Sequence, residues 1–174
     1  AIRAIAAEFA RIPRLYIADG HHRSAAAARV FQTRKGAGGS ASFLSVIFPH
    51  KQMQILPYNR VLKDLNGLTP GEFLEKLAGV FEISRPGTAT PARKHELGLY
   101  LGGQWHTLHF LPRLTAATDA METLDVTLLQ KHVLEPLFGT PDPRTSKRVN
   151  FVGRIRRTAE LERLVNRGEY VCAF

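Results

Sequence analysis

The chain has 174 residues, of which 44% are hydrophobic and 22% charged, proportions that allow a packed core and exclude a purely disordered segment. Cys172 is the only cysteine, so an internal disulfide, a thiolate zinc centre and a CxxC redox pair are all ruled out. With 24 Lys and Arg against 15 Asp and Glu the net charge is +9, a sign that suits anionic partners such as nucleotides or nucleic acid.

Residues 2 to 11 carry helical apolar spacing (Ile2, Ile5, Ala6, Phe9) and Pro13 stops them. LYIA, residues 15 to 18, is a short apolar run before Asp19-Gly20 and predicts a buried strand. Ser24 is expected to cap a helix over AAAARVF, and GAGG at 36 to 39 to end it as a flexible connection. SFLSVIF (42 to 48) and MQIL (53 to 56), separated by Pro49, His50 and Lys51, are expected to form a hairpin or two neighbouring strands. Thr69-Pro70-Gly71-Glu72 fits a capping box, starting a helix through about Leu77. VFEIS, LGLYLG and QWHTLHFL predict strands, the last two joined across Gly102 and Gly103. A helix capped by Asp125 is expected over 125 to 138, with Gly139 after its end. GTPDPRTSKR at 139 to 148 is a loop by composition, RVNFVG a strand, and Thr158 the cap of a helix to about Val165, before the final strand YVCAF. The class is α+β with a mixed sheet. No apolar run is long enough to span a bilayer and Glu8 interrupts any leader-like start, so the expectation is a cytoplasmic protein with no membrane contact.

ADGHHRSAAAARV, residues 18 to 30, is where chemistry concentrates. The start of a helix leaves backbone N–H groups unpaired and carries partial positive charge, which together favour an anion. Gly20 permits a sharp turn there, Arg23 offers a planar fork for phosphate or carboxylate, and His21, His22 and Ser24 add donors. Asp19 would repel an anion, so it is a metal contact, a base, or a brace for a histidine or Arg23. Arg60, in LPYNR, is a further phosphate-binding candidate. His106 and His109 differ by three positions and so point to opposite faces of a strand, while His132 lies within an amphipathic helix; all three read as structural. RTSKRVNFVGRIRR, residues 144 to 157, holds Arg144, Lys147, Arg148, Arg154, Arg156 and Arg157 with no acid, and is the best nucleic-acid candidate.

LYIADGHHRSAAAARV resembles the signature of a bacterial and archaeal family of unknown function, often labelled SpoOJ/ParA/ParB/RepB family protein, and the resemblance continues in LPYNRVLKDL, LDVTLLQKHVLEPLFG and AELERLVNRGEYVCAF. It implies members roughly twice this length, so the chain reads as a fragment, its expected parts being the motif-bearing 1–60 and an α+β part over 61–174. The motif is also similar to that of the ParB and sulfiredoxin superfamily, which holds nucleotide phosphates at a helix start and includes an ADP-dependent kinase of free serine with a DGHHR motif. The resemblance implies a ParB/sulfiredoxin-like core. Sulfiredoxin chemistry is not expected, because His21 stands where that motif needs cysteine.

Two functions follow as expectations. The first is a nucleotide- and phosphate-binding phosphotransferase using ATP or ADP with Mg2+ on a small hydroxylated metabolite such as serine; Asp19, His21 and His22 would be catalytic, Asp19 a metal contact, and Gly20, His21, His22, Arg23, Ser24 and Arg60 phosphate-binding. The alternative is a ParB-like, nucleotide-responsive module contacting DNA or protein without catalysis, through Arg148, Arg154, Arg156 and Arg157. The oligomeric state is not legible in the sequence.

Overall fold

The computed structural model describes the whole chain apart from Ile55, residues 141–145 and 154–156, and the side chain of Arg157. The chain divides into two compact units, Ala1–Gln54 and Ile55–Phe174.

The first unit holds α1 (Ile2–Ala10) and α2 (His21–Arg34), followed by a 3-10 turn over Gly38–Ala41 where a flexible connection was expected. None of its residues is buried. The strands expected at LYIA and SFLSVIF do not form, and the 53 to 56 segment, apart from Ile55, is not a strand either. A strand persists only when its N–H and C=O groups enter a ladder and one face is covered. These segments have neither, and their side chains lie in solvent, with Tyr16 at 86% and Leu44 at 94% exposure. The α2 helix also begins earlier than expected. Gly20, not Ser24, is its N-cap, and Ser24 lies inside the first turns.

The second unit is built on one sheet. Its strands are β1 (Asn59–Leu62), β2 (Phe81–Ser84), β3 (Glu96–Leu101), β4 (Gln104–Phe110), β5 (Val149–Val152) and β6 (Cys172–Ala173), in the order β2-β4-β3-β6-β1-β5. The pairs are antiparallel, so the class is α+β but the sheet is not mixed. The irregular alternation of helices and strands along the chain suggests a mixed sheet, but the described strands pair antiparallel throughout. The β3–β4 hairpin turns on Gly102 and Gly103, whose φ values of +59° and +82° suit a two-residue loop matching the strand twist.

Alternation along β3 explains the layers. Leu99 and Leu101 point into the larger core, with Leu62, Leu108, Phe110 and Val149 from the sheet and Phe73, Leu77, Leu128, Leu134 and Phe138 from helices. Tyr100 points the other way, joining Val61, Val152, Leu161 and Leu164 in a second core. The helix α3 (Pro70–Ala78) begins with the expected capping box: Thr69 Oγ1 accepts from the Glu72 N–H, and Glu72 accepts from the Thr69 N–H at 2.8 Å. The 125 to 138 helix is interrupted: α4 (Asp125–Leu129) and α5 (Glu135–Phe138) flank a π-helical turn over Gln130–Leu134. Asp125 is its first helical residue rather than its cap, and its carboxylate turns to His95 instead. The last helix, α6 (Arg157–Asn166), takes in Thr158 as a helical residue rather than a cap. It packs on the second core, where Trp105 donates to Glu162 at 2.7 Å and Tyr100 to Asn166 at 3.0 Å. Among the described residues no helix is long and apolar enough to cross a membrane.

Candidate functional site

The sequence motif sits in the first unit, at the entry to α2. Gly20 adopts φ +81° and ψ +28°, a left-handed conformation that side-chain-bearing residues disfavour, and this lets the chain turn directly into the helix. Asp19 fixes the turn from outside: its Oδ1 accepts from the Gly20 N–H at 2.7 Å. The first helical hydrogen bond runs from the Ser24 N–H to the Gly20 carbonyl at 2.9 Å. The N–H groups of His21, His22 and Arg23 therefore donate to no described residue, and no side chain caps them.

Charge makes this turn unusual. Helix starts favour acids because the macrodipole is positive there, yet the first turn of α2 contains no acid and carries His21, His22 and Arg23 in succession. The Arg23 guanidinium folds back over Gly20, its Nε lying 3.5 Å from where a Cβ would stand on that glycine. All three side chains are exposed and make no ion pair or hydrogen bond among the described residues. Two hollows of this unit are lined by other residues, one along α2 (Ala26, Arg29, Val30, Thr33, Arg34) and one on α1. Asp19, Gly20, His21, His22, Arg23 and Ser24 are thus brought together as one cluster. No group of three or more His, Cys, Asp or Glu among the described residues is placed to hold a metal, which leaves Asp19 as the one acid of the motif available to an incoming ion.

Arg60 belongs to the second unit, on β1, and is 7% exposed. Its Nη1 donates to the Tyr58 carbonyl at 2.7 Å, and burial pushes its pKa down. Of the basic stretch, Arg154 and Arg156 lie outside the described residues, as do Arg144 and the side chain of Arg157. Arg148 is occupied internally: its Nε lies 3.5 Å from Asp64 and its Nη1 donates to Asn66 at 2.6 Å.

His106 faces the core at 1% exposure while His109 faces away, its Nδ1 3.6 Å from Glu96. Two arrangements escape sequence reasoning. His95 Nδ1 lies 3.0 Å from Asp125 Oδ1, which also accepts from the His95 N–H. Glu96, buried, is flanked by Arg93 at 3.4 Å and His109 and accepts from the Ala92 N–H. The His95–Asp125 pair has no local signal, since its partners lie thirty residues apart, and Glu96 draws His109 from the neighbouring strand although Ala92 and Arg93 are close to it in the chain. Cys172 is fully buried, and loss of solvation pushes its thiol pKa far up, so it is no nucleophile.

The model of the family described as protein of unknown function (DUF1015) matches residues 1–127, and the chain belongs to that family. No curated protein and no solved structure matches it.

Proposed function

We propose that this member of the DUF1015 family binds the phosphates of ATP or ADP at the 19–24 junction and serves transfer of a phosphoryl group to a small hydroxylated metabolite such as serine. The observation that carries the reading is the first turn of α2: unpaired N–H groups, three basic side chains and no acid at the positive end of a helix. That arrangement works against the helix on its own and becomes favourable once an anion arrives. Arg23 would grip two phosphate oxygens with its fork, and the N–H groups of His21, His22 and Arg23 would take the remaining charge. A cradle of this type also agrees with the resemblance to the ParB and sulfiredoxin superfamily, to which we extend the reading.

In the transfer step the acceptor hydroxyl oxygen forms a bond to the terminal phosphorus, and the bond from that phosphorus to the nucleotide oxygen breaks. The bonding electrons leave with the shortened nucleotide, and the hydroxyl proton passes to a base, for which His21, His22 and Asp19 are within the motif. Mg2+ would neutralise phosphate charge, held by the nucleotide with Asp19 as the protein contact.

The test is a thermal-shift titration with ATP and ADP in the presence of Mg2+, paired with assay of label transfer from the nucleotide to serine. A saturable rise in melting temperature that Arg23→Ala abolishes is the expected result. No rise with either nucleotide, or a rise indifferent to Arg23→Ala, would refute nucleotide binding here; binding without transfer to any hydroxylated acceptor would refute the kinase activity.

A further inference from the structure

The guanidinium of Arg60 is a buried cation with no counter-ion among the described residues. The register explains its surroundings. Across the sheet Arg60 stands opposite Phe151 on one side and, through a reciprocal backbone pair with Phe174, opposite that residue on the other. Residues two apart on a strand share a face, so Tyr58 and Leu62 flank it along the chain. Tyr58 and Phe151 stack at 4.7 Å between ring centroids, and the guanidinium carbon lies 5.5 and 5.7 Å from those rings. The cation therefore has aromatic faces to attract it and one carbonyl to satisfy Nη1, but Nε is buried without any hydrogen-bond partner.

A guanidinium keeps its charge under almost any burial, and burial without a paired anion is strongly unfavourable. Nature usually resolves this with Asp or Glu. Here the described salt bridges leave Arg60 out, although the unit pairs its other buried charge, Glu96, with Arg93 and His109. With Nη1 committed to Tyr58, the edge formed by Nε and Nη2 is the one that remains, and that edge accepts two oxygens of a single carboxylate or phosphate side by side.

We propose that Arg60 reads an oxyanion, a carboxylate or a phosphate group, in a second site confined to the sheet unit and framed by Tyr58, Phe151 and Phe174. Tyr58 is the exposed member of the ring pair, at 52%, and the anion enters by displacing that ring from the guanidinium edge. The bound group completes the pairing that the described side chains leave open. This site is independent of the α2 junction and does not rest on the nucleotide reading.

The experiment follows the Arg60 Nε–Hε resonance in a 15N-labelled sample of the whole chain, assigned by its loss in Arg60→Lys. Inorganic phosphate and acetate are titrated separately against chloride at matched ionic strength. A saturable shift with one or both anions and none with chloride is expected, and the anion that saturates at the lower concentration identifies the chemistry. The same titration in Arg23→Ala should give an unchanged midpoint. In Arg60→Lys, which keeps charge but loses the fork, the midpoint read at the Tyr58 amide should weaken by about tenfold or more. Arg60→Met should melt at or above the wild-type temperature without ligand, since it removes an unpaired buried charge. A resonance that neither anion moves overturns the proposal, as does a response that disappears with Arg23→Ala. A fall of more than about 5 °C in Arg60→Met would make the guanidinium a structural strut and overturn it too.

Discussion

His106 offers a sharp test of how this core balances polarity. It sits on β4 opposite Leu99, on the face shared with Leu108 and Phe110, and both ring nitrogens are buried without a hydrogen-bond partner. Burial is the main reason its pKa is lowered and the Arg85 charge adds to it; the Leu101 carbonyl pulls the other way without completing a well-formed hydrogen bond. An unsatisfied buried polar group costs about 1 to 3 kcal/mol, and Leu supplies a similar volume with nothing to desolvate. His106→Leu should therefore be neutral or stabilising by about 1 kcal/mol, worth a few degrees in melting temperature for a unit of this size. The pH profile gives the second half of the test. Because the folded-state pKa lies below that of the unfolded chain, the unfolded state binds more protons below about pH 6.5, and wild-type stability falls as pH drops through that value. The limiting slope for one histidine is about 1.4 kcal/mol per pH unit. Denaturant titrations of wild type and His106→Leu between pH 5 and 8 should converge on similar stability above pH 7 or slightly favour the variant, then separate increasingly in its favour below 6.5. His132 shifts in the same direction but is common to both proteins. Parallel profiles, or a variant less stable by about 2 kcal/mol at pH 8, would refute the claim that the ring is an unpaired polar group in an apolar core.

Three further outcomes are expected. Thr69→Ala removes one half of the α3 capping box and should cost about 1 kcal/mol in urea denaturation; because hydrogen bonds from Thr69 hold the Glu72 carboxyl below its ordinary pKa, the box contributes fully above about pH 4.5 and is lost as pH falls below it. Hydrogen exchange should be fast along α1 and α2, which bury nothing, and slowest along β3 and β4, which hold the larger core; protection of α2 equal to that of β3 would count against the two-unit division. His22→Glu should raise helicity at α2 by placing an acid in its first turn, by about 0.3 to 1 kcal/mol, while weakening nucleotide binding in the thermal-shift assay; tighter binding would contradict the proposed cradle.

Elements whose cause is local are the ones the sequence foretells. The Thr69-to-Glu72 box carries both of its partners within four residues, and Gly102-Gly103 supplies the left-handed pair its hairpin needs, so both form where expected. LYIA and SFLSVIF have the composition of strands, but a strand also needs a ladder partner, and composition cannot report whether one is within reach. The cap expected of Asp125 fails for a related reason: its carboxylate finds His95, thirty residues away, in place of the local N–H groups. At the motif the clustering of Asp19 through Ser24 was readable, because a glycine turn into a helix is a short-range feature, although no strand precedes it. The burial of Arg60 was not. LPYNR looks like an exposed loop until β5 and β6 close on both sides of it.

Among the described residues, three sites leave polar or charged groups mismatched with their surroundings, and their access to solvent separates what each mismatch means. The first turn of α2 puts three exposed basic side chains on the positive end of a helix, where, on the reading proposed above, an anion would turn the mismatch into affinity. Arg60 is a buried charge without a described counter-ion beside a half-exposed tyrosine; in the proposed site an anion would first move that ring, which favours selectivity over speed. His106 leaves two ring nitrogens unpaired where no solute arrives, and its defect is simply borne by the surrounding core. A mismatch is informative about function only to the extent that a ligand can relieve it. On that criterion Arg23 and Arg60, rather than the more deeply buried histidine, are the residues we propose for contact with anionic partners.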